Sequence, residues 1–218
     1  MNILNRRISR TENKTKKYLL PHFIVLAAVS IGLVLFKFDF QILFFIRDYI
    51  RNPFLNVVVP FYTTLGDDGI IWIALGLIML IPQKTRKCGI MVLAALLVMV
   101  VFNNLLLKNI IARARPFATY PELIEDLIGV IHVPSSYSFP SGHTVSAMAV
   151  AFTVLTQHKK LGSIVLVFAT LMGLSRLYVG VHFPTDVYGG MIVGAIIALF
   201  VYWAEKKITP KLVEKIKK

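Results

Sequence analysis

Long apolar runs separated by short polar islands set the plan of this chain. Six runs approach the roughly 20 residues that cross a bilayer as a helix: residues 18–36, 69–82, 88–107, 143–157, 161–178 and 186–204. The second and fourth are short, so their ends draw on flanking residues such as Leu65, Phe139 and Pro140. The pattern predicts an all-α, polytopic membrane bundle of six transmembrane helices. It forms one domain over 18–204, between basic tails at 1–17 and 205–218. The run from Tyr18 to Phe36 exceeds the roughly 7–15 residue apolar stretch of a cleavable signal peptide, which predicts a retained anchor.

After the first run the period changes. At about 100° per residue, Lys37, Gln41, Asp48, Arg51 and Asn52 share one arc. Phe38, Ile42, Phe45, Ile46, Tyr49 and Ile50 share the other, while Asp39 and Phe44 break the pattern. This predicts an interfacial amphipathic helix over 37–52, either a lid beside a lipid-access opening or a helix packed on the bundle. Gly66-Asp67-Asp68-Gly69 predicts a turn, its carboxylates suited to a helix start. Two adjacent acids are also half of a metal site, but no further ligand follows at suitable spacing. Asn103 and Asn104 are expected to bond one another or nearby backbone.

Composition agrees with lipid as the solvent. Of 218 residues 56% are hydrophobic and 16% charged, against roughly 25% charged in soluble domains, and the mean hydropathy is +0.71. The net charge of +13 would suit nucleic acid, but its distribution does not. Arg6, Arg7, Arg10, Lys14, Lys16 and Lys17 form one group; Lys84, Arg86 and Lys87 a second; Lys159 and Lys160 a third; Lys206, Lys207, Lys211, Lys215, Lys217 and Lys218 a fourth. With six spans all four fall on one side, which the positive-inside rule makes cytoplasmic, together with both termini. Cys88 is the single cysteine, so no internal disulfide forms and an inert thiol is expected.

Three polar clusters then fall on the outer face. Lys108 and Arg115 stand seven apart, nearly two helical turns on one face, and Pro116 predicts that the helix unwinds at Arg115. Both suit phosphate oxygens, although cations at a membrane edge also serve as headgroup contacts. Pro140-Ser141-Gly142-His143 opens the fourth run, with Ser141 a good N-cap, Gly142 permitting close backbone approach, and the helix start an anion site. His143 stands where a proton could reach a leaving oxygen. Ser175-Arg176, His182 and Asp186 bracket the last turn, where an aspartate bonded to one ring nitrogen would leave the other free to attack phosphorus. A His–Asp pair can equally be structural or part of a metal site.

Lys-six residues-Arg-Pro, Pro-Ser-Gly-His, and Ser-Arg-five residues-His-three residues-Asp together resemble the three-part signature of the type-2 phosphatidic acid phosphatase superfamily. The likeness covers about residues 66–200 and includes Ala112–Phe117 and Ser138–Thr144. It implies a metal-independent lipid phosphatase without cofactor, working through a phosphohistidine. His182 would be the nucleophile, Asp186 its orienting partner, and His143 the acid for the leaving group. Lys108, Arg115, Arg176, Ser141 and Gly142 would hold the phosphate, and Arg113, outside the signature, could meet a second phosphate. An outward site in a small six-span chain is similar to the bacterial enzymes that recycle undecaprenyl diphosphate for the cell wall. Phosphatidylglycerophosphate and phosphatidic acid remain open as substrates, as do a lipid phosphotransferase and a transporter as other classes. Lipid phosphate and membrane lipids are the expected partners, with no nucleic acid.

Overall fold

The computed structural model describes the backbone of residues 3–216 and the side chains of 24–208; those of the basic groups at 1–17 and beyond 208 lie outside the described residues. Among the described residues the regular structure is all helical. The chain divides into two compact units, one ending at Phe38 and one beginning at Asp39.

Helix α1 runs from Ile3 to Phe45 and passes into a π-turn over Ile46–Ile50. The separate interfacial helix expected over 37–52 is therefore the last part of α1, and burial explains the difference. Phe38, Phe45 and Tyr49, on the apolar arc, are exposed, whereas Asp39 and Leu43 are buried. Phe40 and Phe44 pack with Leu43, Leu123 and Phe183. Asp39 and Phe44, which broke the periodic pattern, belong to the packed side, and much of the apolar arc faces outward. Periodicity identified two faces but not which of them meets protein.

Arg51 turns extended before Pro53, and the Asn52 side chain accepts from Leu55 N at 3.0 Å to start α2, Leu55–Thr64. The predicted Gly66–Gly69 turn joins α2 to α3, Ile70–Leu80, with a bend of 50°. Asp68 and Gly69 are left-handed there, with φ of 52° and 72°, a conformation open to glycine and tolerated by aspartate. Helix α4, Gln83–Met99, continues through a π-helical stretch, Val100–Leu107, into the single turn α5, Lys108–Ile111. A short α6, Pro116–Thr119, and an irregular segment lead to α7, Gly142–Gln157; α8, Lys159–Tyr178; and α9, Pro184–Ile216.

Helix α7 is the axis of this bundle and packs against α4, α8 and α9. Its buried residues include Thr144, Ser146, Ala147, Ala149, Ala151 and Thr153, small side chains that let helices approach closely in a membrane. Trp72, Leu96, Met148 and Met172 fill one side, and Met91, Val145 and Ile197 the other. Large apolar side chains such as Leu97, Leu105, Phe168 and Leu199 face outward, a surface suited to hydrocarbon rather than water. Among the described residues four helices are long and apolar enough to cross a bilayer: Ile24–Ile50, Gln83–Thr119, Lys159–Tyr178 and Pro184–Ile208. The bent α2–α3 pair, by its length and composition, is either a fifth, broken span or a re-entrant loop. Helix α7 has 16 residues, about 24 Å of rise, shorter than the hydrocarbon core.

Because α4, α7, α8 and α9 alternate in direction, Lys108, Gly142, Arg176 and His182 gather at one end of the bundle. Lys84–Lys87 and Lys159–Lys160 go to the other, where Lys87 pairs with Glu205 at 2.7 Å. The contact of α9 with α7 is close: a Cβ on Gly194 would stand 2.7 Å from Met148 Cβ and 2.9 Å from both Ala149 N and Val145 O. Gly194→Ala is expected to force these helices apart and cost roughly 1–3 kcal/mol. Thermal unfolding in detergent measures this, and an unchanged midpoint would contradict the packing.

Candidate active site

Lys108 and Arg115 do not share a helix face as their spacing suggested, because α5 ends at Ala112, whose φ is 49°. Pro116 occupies the first position of α6 and Arg115 is extended before it. The two cations converge on Ser136 instead. Lys108 Nζ donates to Ser136 Oγ at 3.2 Å. Arg115 donates from Nε to Ser136 O at 2.7 Å and from its terminal nitrogens to Ser136 Oγ, Tyr137 O and Val181 O. Arg176, at the end of α8, donates to Thr63 Oγ1 at 2.7 Å. Its buried Nε–H meets no acceptor among the described residues, a donor that could bond an oxyanion. All three cations are buried.

Helix α7 begins beside them. Ser141 has the extended backbone of an N-cap, but its hydroxyl does not cap the helix; it accepts from Thr144 Oγ1 at 3.1 Å. The uncapped helix start offers orphan amides and the positive end of the dipole to an anion. A Cβ on Gly142 would lie 3.8 Å from Lys108 Nζ and 3.6 Å from Asn104 Oδ1, so the ammonium stands next to that helix start. Asn103 donates to Asn104 at 2.9 Å, as expected.

His182 is buried in the turn between α8 and α9. Its Nε2 lies 3.3 Å from an Arg115 terminal nitrogen. Its Nδ1 lies 3.5 Å from Asp186 Oδ2 and 3.4 Å from Ser138 Oγ. Asp186 accepts from Ser138 Oγ and, at 2.8 Å, from Phe183 N, and pairs with Arg113 at 2.7 Å. In the tautomer with the proton on Nδ1, facing Asp186, Nε2 keeps its lone pair toward the cations. Burial first, then Arg115, Arg176 and Lys108, hold the His182 imidazole well below its ordinary pKa, so it is neutral at neutral pH. His143, on the first turn of α7, lies with Nε2 3.0 Å from Asp67 Oδ1. Such an assembly can bind a phosphoryl group among three cations, with a neutral imidazole and a second histidine in the same site.

The expected residues Lys108, Arg115, Ser141, Gly142, His143, Arg176, His182 and Asp186 thus come together. Arg113 pairs with Asp39 at 2.6 Å as well as with Asp186 and donates to Thr185 Oγ1. Five participants were not anticipated as such: Asp39, Thr63, Asp67, Ser136 and Ser138. Asp39 and Asp67 carried a signal, since acids are few here and each sits beside an apolar run. Gly66 supports the site by its lack of a side chain, because a Cβ there would come within 2.7 Å of His143 Cδ2. Among the described residues no group of three or more His, Cys, Asp or Glu is placed to hold a metal.

The sequence pattern of the PAP2 superfamily matches residues 88–210. The bacitracin transport permease protein BcrC of Bacillus licheniformis is 35% identical over 157 residues, covering 71% of this chain and 74% of its own. The undecaprenyl-diphosphatase of Sulfolobus acidocaldarius is 30% identical over 177 residues, covering 81% and 83%. In three dimensions the chain is similar to the crystal structure of a transmembrane PAP2-type phosphatidylglycerolphosphate phosphatase from Bacillus subtilis. The TM-score is 0.62 at 30% identity, over 84% of this chain and 96% of that one.

The electrostatics of His182 give a signed expectation. Burial and all three cations disfavour the imidazolium, so protonation is displaced to pH well below the ordinary histidine value of about 6.5. Arg115→Gln removes the nearest cation and moves the titration upward, toward that value. Histidine NMR in detergent across the acid range reads both, and a largely protonated His182 at about pH 6.5 in the free wild-type protein would contradict the geometry.

Proposed function

The chain belongs to the PAP2 superfamily and is a membrane lipid phosphatase, and we propose that its substrate is a polyprenyl diphosphate, undecaprenyl diphosphate above others. The observation that carries the mechanism is the orientation of His182, with Nδ1 toward Asp186 and Nε2 toward Arg115. The terminal phosphoryl group lies among Lys108, Arg115, Arg176 and the start of α7, with Ser141 and Gly142 lining it. His182 Nε2 attacks phosphorus; the P–N bond forms as the bond to the bridging oxygen breaks, and His143 donates its proton to that oxygen. Water then attacks the phosphohistidine and gives a proton to His143, and the P–N bond breaks to release inorganic phosphate. The products are the polyprenyl monophosphate and phosphate, with no metal or cofactor in the sequence of steps.

The topology that goes with this reading has six spans, α7 being the short central one whose ends are completed by flanking protein. The basic links at the far end of the bundle, Lys84–Lys87 and Lys159–Lys160, put that end in the cytoplasm with both termini. The site then opens on the outer face of the plasma membrane. This orientation suits a lipid carrier returned after its cargo has been used outside. The Bacillus subtilis structural relative favours a second reading, phosphatidylglycerophosphate hydrolysis at the same site.

Phosphate release by purified protein in detergent separates these readings. Undecaprenyl diphosphate is expected to exceed phosphatidylglycerophosphate and phosphatidic acid in kcat/KM, with an unchanged rate in chelator. The reverse ranking would assign the phosphatidylglycerophosphate activity. His182→Ala is expected to lower kcat by at least about 1,000-fold, and full activity in that variant would remove the phosphohistidine mechanism.

A further inference from the structure

Asp186 is fully buried and both of its oxygens are occupied. Oδ2 takes the Ser138 hydroxyl and the Phe183 amide, and Oδ1 takes Arg113 at 2.7 Å. Arg113 is therefore the cation bonded to the carboxylate that faces His182. It is not committed to Asp186 alone. Its other terminal nitrogen reaches Asp39 Oδ2 at 2.6 Å, its guanidinium lies 3.9 Å over the Phe183 ring, and Thr185 Oγ1 accepts from it at 2.7 Å. Asp39, near the end of α1 and only 4% exposed in its side chain, also accepts from Thr185 N at 3.0 Å and from the Thr185 hydroxyl. One guanidinium thus bridges two carboxylates from α1 and α9.

The charge count gives this arrangement a purpose. Arg113 facing Asp186 alone would cancel the negative charge behind His182. With Asp39 as second partner, the trio Asp39–Arg113–Asp186 keeps a net charge of minus one directly behind the imidazole. When Nε2 bonds to phosphorus while Nδ1 retains its proton, the ring becomes cationic inside a site that already holds Lys108, Arg115 and Arg176. A net negative trio stabilises that state, and a neutral Arg113–Asp186 pair does so less. We propose that Asp39 and Arg113 are positioning residues for catalysis: Arg113 fixes Asp186, and Asp39 maintains the negative potential that favours the phosphorylated His182. The proposal rests on His182 as nucleophile, and it moves Arg113 from a substrate contact to the support of the dyad.

The test uses the full-length protein in detergent with a polyprenyl diphosphate, reading kcat, KM and acid-quenched phosphoenzyme from substrate labelled on the terminal phosphate. Asp39→Asn keeps an acceptor for Thr185 but removes the charge. It is expected to lower kcat and phosphoenzyme formation about tenfold or more, with KM within about twofold and the melting midpoint retained. Arg113→Lys keeps the positive charge but gives up the two-sided bridge, and is expected to show the same kcat-weighted loss even if Asp39→Asn does not fold. Wild-type kcat in either folded variant would overturn the proposal. So would a loss confined to KM, which would return Arg113 to a substrate-binding role. His182→Ala, run alongside, separates the two levels. Activity there removes the phosphohistidine reading itself, whereas an inactive His182→Ala beside a fully active Asp39→Asn overturns this proposal and leaves that reading standing.

Discussion

Three buried cations crowd one histidine, and among the described residues no carboxylate forms an ion pair with Lys108, Arg115 or Arg176. Their mutual repulsion in a poorly solvated site is the constraint around which the rest is arranged. Neutral acceptors hold them: Ser136, Thr63 and the carbonyls of Ser136, Tyr137 and Val181. These come from α2, the irregular segment before α7 and the α8–α9 turn, so several connections must be in place before the cations can be. The acids stand one step back, behind the histidines: Asp186 behind His182 and Asp67 beside His143. Positive charge without a carboxylate partner among the described residues thus lies on one side of His182, and the Asp186 carboxylate on the other.

The scaffold is organised to the same end. Helix α7 brings its N-terminus to the cations by being short and lined with small residues, so α4, α8 and α9 pack closely on it. The bent α2–α3 pair brings Thr63 to Arg176 and Asp67 to His143 from a single turn. A straight helix through residues 63–67 would leave one of these contacts unmade.

How much of this could be read from the chain differs by residue and for a physical reason. The apolar runs located α3, α4, α7, α8, α9 and part of α1 but not α2, Leu55–Thr64, and Pro116 located the break at Arg115, because local sterics act over one or two residues. Lys108, Arg115, His143, Arg176, His182 and Asp186 were legible through their spacing within short motifs. Ser136 and Ser138 were not, since a serine in an irregular loop has no period to declare its partner. Asp39 was hidden differently: it appeared as a flaw in an amphipathic pattern, whereas it is a carboxylate turned inward to meet Arg113, 74 residues later. Amphipathic analysis presumes that water takes the polar face. In lipid, the apolar face can be the outer one and the polar exception the functional contact.

The π-helical stretch Val100–Leu107 carries a consequence for how this site can vary. A π-helix holds more residues per turn than an α-helix, so it behaves as an α-helix with a residue inserted. Here the side chain of Asn109 bonds back to the carbonyls of Asn104 and Leu105 within that stretch. The wider turns absorb the inserted residue, so the residues beyond keep their facing and Lys108 stays aimed at Ser136 and the start of α7. In evolutionary terms the stretch is a take-up of length: a residue gained or lost there is absorbed in the width of its turns, and the aim of a single lysine is spared.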